Sequence, residues 1–205
     1  MKKLLLILIV TVLLTGSVVW ANTLTFYDLY DYGWAEASVI RLAEKGIIKG
    51  VAPHRYAPGN YVSRAELCTL LHRVFKIGGD GLPSFPDVSA DSYYYESSAA
   101  LKALGILKPY EDGGFHPDDA VTREETMKLT GFLLERFGFM EIPDFSSLEG
   151  FYDSKLISPE NKGYCALLVK NGFITGDGFG SLNPHGYLTR AETAVILDRI
   201  YKNLF

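Results

Sequence analysis

The chain has 205 residues, a formal net charge of −4 and only two cysteines. An acidic chain exerts no long-range pull on nucleic acid or anionic lipid, which argues against both as partners of the whole molecule. Two cysteines in helical patterns, with no CxxC or clustered His/Cys spacing, offer no zinc site, and a disulfide is permitted by export without being required.

Residues 1–21 read as a secretory leader. Lys2 and Lys3 form a basic start, Leu4 to Leu14 an apolar run, and Val19-Trp20-Ala21 a small-residue cleavage site. Such a segment is too short and wrongly flanked for a membrane anchor, so no membrane span is expected in the mature chain from Asn22 to Phe205. Losing its two lysines takes the net charge from −4 to about −6. Any anionic ligand must therefore be caught by local arginines, because exposed charges are screened beyond about 8–10 Å.

From Trp34 to Lys45, Ala37, Ile40 and Leu42 recur among charged residues, and Gly46 follows as a natural helix stop. Ile47-Ile48 is a short apolar plug, and Tyr56 stands two residues before Pro58. Ser63-Arg64-Ala65-Glu66 then opens a second helix in the S/T-x-x-E pattern, in which hydroxyl and carboxylate cap reciprocally. Leu70 and Val74 continue an i, i+4 apolar stripe.

The same frame recurs twice. A helix is expected after Asp91, closed by Gly105-Ile106-Leu107, with Phe115, Pro117 and the box Thr122-Arg123-Glu124-Glu125 behind it. The third copy starts at Ser158-Pro159, a cap followed by proline, and runs through Gly172-Phe173-Ile174, Leu182 and Pro184 to Thr189-Arg190-Ala191-Glu192. Each box arginine lies 18 residues after the glycine and six after the proline. A Phe-x-Asp opens each copy: Phe26-Tyr27-Asp28, Phe85-Pro86-Asp87 and Phe151-Tyr152-Asp153. Most positions between these marks differ, so chance does not explain the frame.

These marks divide the mature chain into units at 22–79, 80–143 and 144–205, with linkers at Gly78-Gly79-Asp80-Gly81 and from Glu141 to Gly150. One helix-loop-helix unit cannot bury its own stripe, whereas three together can. The expected fold is all-α: one domain of three repeats with approximate threefold symmetry around a central bundle. Cys68 aligns with Met127 and Ala194, which predicts an ordinary buried position.

Taken together, the Phe-x-Asp opening, the aromatic Trp34, the Gly46-to-Gly50 segment, Tyr56, Pro58 and the Arg64 box resemble the S-layer homology family, three modules in succession. The resemblance covers nearly the whole mature chain. It implies a non-catalytic domain without cofactor that anchors exported proteins at the cell surface on bacterial secondary cell-wall polysaccharide, often through a pyruvylated terminal sugar. The family's box arginine is associated with that ligand and maps to Arg64, Arg123 and Arg190. Asp28, Asp87, Asp153, Trp34, its weaker counterpart Tyr93, and Gly50 map onto groove positions. Two other readings stay open: a scaffold for envelope protein partners or S-layer assembly, and a tether of an outer membrane to peptidoglycan. Departures from the pattern are Ser63 for Thr, Lys108-Pro109 where Gly50 and Gly176 stand elsewhere, and Glu160 in place of Trp34. Unequal sites follow, with the Arg64 neighbourhood the most complete along the sequence.

A pyruvate ketal presents a carboxylate. Arginine in the first turn of a capped helix offers a planar donor fork near the positive dipole end and its free amides. The aspartates have an alternative role in closing turns, Trp34 one in the core or at its rim, and the box glutamates are caps rather than general acids. Tyr93-Tyr94-Tyr95 sends rings to different faces at helical spacing. Asp177-Gly178-Phe179-Gly180-Ser181 lacks the alternating acids of a calcium loop, and the four histidines share no repeat position. No nucleophile elbow, phosphate loop or HExxH pair occurs, so an enzyme is not expected.

Overall fold

The computed structural model describes residues 25–79 and 81–205; the leader expected at 1–21 lies outside them. Among the described residues there are six α-helices and no β-sheet: α1 (Gly33–Glu44), α2 (Arg64–Val74), α3 (Tyr95–Ala103), α4 (Arg123–Arg136), α5 (Lys162–Lys170) and α6 (Arg190–Leu204). None of them is long and apolar enough to cross a membrane. The fold is all-α, as expected.

The helix ends follow local chemistry. Gly46, Gly105 and Gly172 all take positive φ, the left-handed turn that glycine adopts without steric cost. The pairs behind them, from Ile47-Ile48 to Phe173-Ile174, are buried, as are Tyr56, Phe115 and Leu182. Ser63 and Thr189 form complete capping boxes with Glu66 and Glu192. The expected third box is half made: Thr122 Oγ1 accepts from the Glu125 amide, but the Glu125 carboxylate bonds Arg64 instead of returning to the cap.

Two other helix starts differ from expectation. α3 begins only at Tyr95, so Tyr93 sits in a preceding turn and is exposed, while Tyr94 and Tyr95 pack on the core. Ser158 makes no side-chain cap; a 3-10 turn at Pro159–Asn161 leads into α5. The Glu141-to-Gly150 linker also does structural work, since its short Ser146–Leu148 turn packs on α5 and buries Leu148.

The helices do not pair within units. α3 packs on α2, α5 on α4, and α1 on α6, so each first helix lies on the second helix of the unit before it and the last unit closes on the first. At the centre, three backbone hydrogen bonds form a ring. The Val62 amide donates to Leu188 O at 2.9 Å, Leu188 to Val121 O at 3.3 Å, and Val121 to Val62 O at 3.0 Å. All three side chains are buried beneath it.

The ring also uses the first amides of α2, α4 and α6. Arg64 and Ala65 donate to Asp119 O and Pro117 O; Arg123 and Glu124 donate to Gly186 O and Pro184 O; Arg190 and Ala191 donate to Asn60 O and Pro58 O. Helix amides that otherwise lack partners are therefore satisfied by the neighbouring unit's proline loop. The expectation of free amides beside the arginines is corrected accordingly.

The three seams are filled differently. Between α1 and α6, buried Asp198 accepts from Ser38 Oγ at 2.9 Å and Arg41 Nε at 2.8 Å, with Lys202 Nζ also at 2.8 Å. Between α4 and α5, Gly131 lets Tyr164 approach so closely that an added Cβ would lie 2.7 Å from its Cβ. Cys68 and Cys165 are buried free thiols, and Cys68, Met127 and Ala194 are all fully buried.

Each Phe-x-Asp carboxylate turns onto backbone amides of its own unit's loop. Asp28 accepts from the amides of Tyr56 and Ala57, Asp87 from those of Phe115 and His116, and Asp153 from those of Leu182 and Asn183 and from Ser181 Oγ. Burial alone would raise the Asp153 pKa, yet these donors outweigh it and hold the carboxyl below its usual range. A depressed folded-state pKa stabilises above the ordinary carboxylate pKa of about 4, and that contribution is lost as pH falls through the folded value. Asp153→Asn is expected to cost about 2–3 kcal/mol at pH 7. Denaturant unfolding of both proteins from pH 7 to pH 2 tests this; the difference should shrink below about pH 4.

Candidate functional site

The box arginines begin α2, α4 and α6, but their side chains cross to the next unit. Arg64 Nε donates to Phe115 O at 2.8 Å, Arg123 Nε to Leu182 O at 2.9 Å, and Arg190 Nε to Tyr56 O at 2.9 Å. Arg64 pairs with Glu125, Arg190 with Glu66, and Arg123 lies 3.5 Å from Glu192. The guanidinium of Arg64 also covers the Tyr110 ring at 4.7 Å, and that of Arg190 the Tyr56 ring at 4.5 Å.

The arginine side chains are largely enclosed, with Arg64 only 6% and Arg190 9% exposed. The reason is geometric: a helix-start side chain lying against the neighbouring loop is covered by it. Burial pulls the Arg123 pKa down, and Glu192 pushes back against that. Burial likewise raises the Glu125 pKa, opposed by Arg64. All three box glutamates are thus arginine partners, and Glu66 and Glu192 are caps as well.

Each arginine still forms part of a cavity wall. A guanidinium carries five N–H donors, and the bonds to loop and glutamate use only some of them. The Arg190 cavity, about 300 Å³, is bounded by Lys49, Gly50, Glu66, Arg73 and Tyr93. The Arg123 cavity, about 670 Å³, is bounded by Trp34, Gly176, Asp177, Glu192 and Arg199. The Arg64 cavity, about 450 Å³, is bounded by Lys108, Tyr110, Glu125, Lys128 and Asn161.

Every groove therefore draws on three units: an arginine from one, a loop and box helix from the next, and a residue at or just before the first helix of the third. Gly50 and Trp34 do not join Arg64, their companion in sequence. Gly50 joins Arg190 and Tyr93, and Trp34 joins Arg123. The Arg64 groove, expected to be the most complete, has Pro109 in its wall and Asn161 and Ser158 where an aromatic plate stands elsewhere. Buried Glu124 there accepts from the Ser158 amide at 3.0 Å and Asn161 Nδ2 at 2.7 Å.

Gly50 fits its place because a Cβ would meet Arg55 O and the Phe26 ring, both at 2.7 Å. Trp34 and Tyr93 are 59% and 64% exposed. Asp28, Asp87 and Asp153 line none of the three grooves; they set the loops that do. Arg73 and Arg199 were missed. Each stands nine residues after a box arginine, a recurrence visible in the sequence, and each donates to the carbonyl of the apolar plug, Ile47 or Phe173.

The sequence profile of the S-layer homology domain matches at 25–68, 84–127 and 150–194, the segments carrying the three frames. The chain belongs to the S-layer homology family. It is 32% identical over 175 residues to a surface-layer 125 kDa protein of Lysinibacillus sphaericus, covering 84% of this chain and 14% of that protein. It is 31% identical over 189 residues to the exoglucanase XynX of Acetivibrio thermocellus, covering 90% and 17%. To the S-layer protein sap of Bacillus anthracis it is 27% identical over 180 residues, covering 87% and 21%. The chain spans less than a quarter of the length of these relatives.

Because the arginines hold the seams, removing one should cost stability as well as any binding. Arg190→Ala leaves Glu66 and the Tyr56 carbonyl without their donor and is expected to cost about 2–3 kcal/mol. Trp34→Ala, at an exposed ring, should stay within about 0.5 kcal/mol. Chemical denaturation of the two variants checks the contrast; an unchanged midpoint for Arg190→Ala would remove the arginine from the seam.

Proposed function

We propose that this S-layer homology protein is a non-catalytic anchor at the cell surface, binding an anionic secondary cell-wall polysaccharide through its inter-unit grooves. The observation that carries this reading is the pairing of an arginine cavity wall with an exposed aromatic face, Arg123 with Trp34 and Arg190 with Tyr93. A carboxylate-bearing sugar, such as a pyruvate ketal, places its acid against the guanidinium and its C–H face on the ring. A charge-assisted hydrogen bond contributes about 1.5–3 kcal/mol and a well-placed aromatic contact about 0.5–1.5 kcal/mol.

One groove binds modestly at these magnitudes. Two or three grooves meeting neighbouring glycan chains raise avidity by about 10²–10⁴ when their geometry permits joint engagement. The Arg64 groove has no counterpart of Trp34 or Tyr93, and its Tyr110 ring is covered by the Arg64 guanidinium, so the Arg123 and Arg190 grooves are assigned the main role. The box glutamate in each groove is engaged by arginine, and Glu124 in the Arg64 groove by Ser158 and Asn161, which supports a binding rather than a hydrolytic function.

Co-sedimentation with isolated wall sacculi tests the proposal. Wild type should pellet with native sacculi and remain in solution when the secondary polysaccharide has been stripped. Trp34→Ala and Tyr93→Ala should each weaken retention about fivefold, and the double variant more, with the melting temperature unchanged. Equal retention on stripped peptidoglycan would sink the polysaccharide assignment.

A further inference from the structure

The central ring has an outer face whose two tyrosines line none of the grooves. Around it, Tyr61 pairs with Thr189, Ser63 with Ala120, and Thr122 with Tyr187 in isolated antiparallel bridges. Residues directly opposite in such bridges project to one face, and the alternating positions Val62, Val121 and Leu188 project to the buried one. Six uncharged side chains therefore share the outer face of the hub. Two are tyrosines, 60% and 53% exposed, with ring centroids 5.5 Å apart. Ala120 occupies the third equivalent place and leaves that side low.

This face is continuous with two grooves. Thr189, opposite Tyr61, lines the Arg123 cavity. Thr122, opposite Tyr187, lines the Arg64 cavity. A ligand chain leaving either groove toward the axis meets the tyrosine pair next.

We propose that the Tyr61–Tyr187 pair is a stacking platform for a sugar ring of the wall glycan, lying between the Arg64 and Arg123 grooves; this rests on the polysaccharide-binding reading above. The hub carries aromatic faces for the C–H side of a pyranose and hydroxyls for its rim, and no charge that would select an acidic unit. Ser63 and Thr122 accept from helix amides and keep their own O–H to donate. Two rings cover at most about 300–500 Å², below the roughly 800 Å² per partner of a stable protein interface, which favours a sugar over a protein as occupant. The platform thus takes the neutral units that follow an acidic sugar, and it makes affinity depend on glycan length.

The test is calorimetric titration of the intact protein with wall-polysaccharide fragments of one sugar and of four or more sugars. The Tyr61→Ala/Tyr187→Ala double variant should bind the long fragments about tenfold more weakly and the single sugar unchanged. The Tyr61→Phe/Tyr187→Phe variant, which keeps the rings, should stay within about threefold of wild type on long fragments and separates stacking from damage to the hub. Binding that needs Arg123 and Trp34 but ignores both tyrosines overturns the platform and leaves the groove reading standing. Wild type that binds neither fragment overturns both. Concentration-dependent self-association that disappears in the double alanine variant would reassign the pair to a protein contact and also overturn the platform.

Discussion

The ring of three backbone hydrogen bonds through Val62, Leu188 and Val121 is the constraint on which the rest of the molecule depends. An unpaired buried amide costs about 1–3 kcal/mol, and a helix start presents several at once. In this fold the neighbouring unit supplies the missing carbonyls, so no unit completes its own helix starts. The apolar faces obey the same logic, since each first helix finds its cover on the second helix of the preceding unit. The three repeats are thus one cooperative body rather than beads on a string.

Placing the seams between units places the arginines there too. Each ties a helix start to the neighbour's loop carbonyl and to the neighbour's glutamate, and its remaining face borders a cavity. One residue therefore both holds a seam and forms a groove wall. This explains why the arginine recurs where the residues around it have changed: loss of the fork would open a seam as well as empty a groove. A lysine keeps the charge but not the planar geometry that spans carbonyl and carboxylate together.

The three seams share a backbone plan and differ in their side chains. The α1–α6 seam is held by buried Asp198 among three donors, whereas the α4–α5 seam relies on Gly131 against Tyr164. The grooves diverge in the same way. Two carry an exposed Trp34 or Tyr93 ring, whereas the Arg64 groove has Ser158 and Asn161 in that place and its own aromatic, Tyr110, lies under the Arg64 guanidinium. Because the ring of amides fixes the frame, side chains at the seams are free to vary without loss of the fold.

What the sequence determined alone is what neighbouring residues decide among themselves. Glycine at Gly46, Gly105 and Gly172, the hydroxyl that opens each arginine box, the plug behind each glycine and the apolar stripe are short-range matters, and the structure has them as read. It also gave the arginines as the recurrent polar residue. Which loop and which ring each arginine meets was beyond its reach, because those partners come from other units and the ring closes between the first and the last. Trp34 and Arg64 sit in one repeat along the chain yet serve different grooves, and Asp28 looks like a groove acid until Tyr56 and Ala57 present their amides to it. The capping box at Thr122 differs at the same level: Glu125 meets an arginine of another unit and leaves its cap amide, whereas Glu66 and Glu192 hold both, a difference that exists only after the seams have closed.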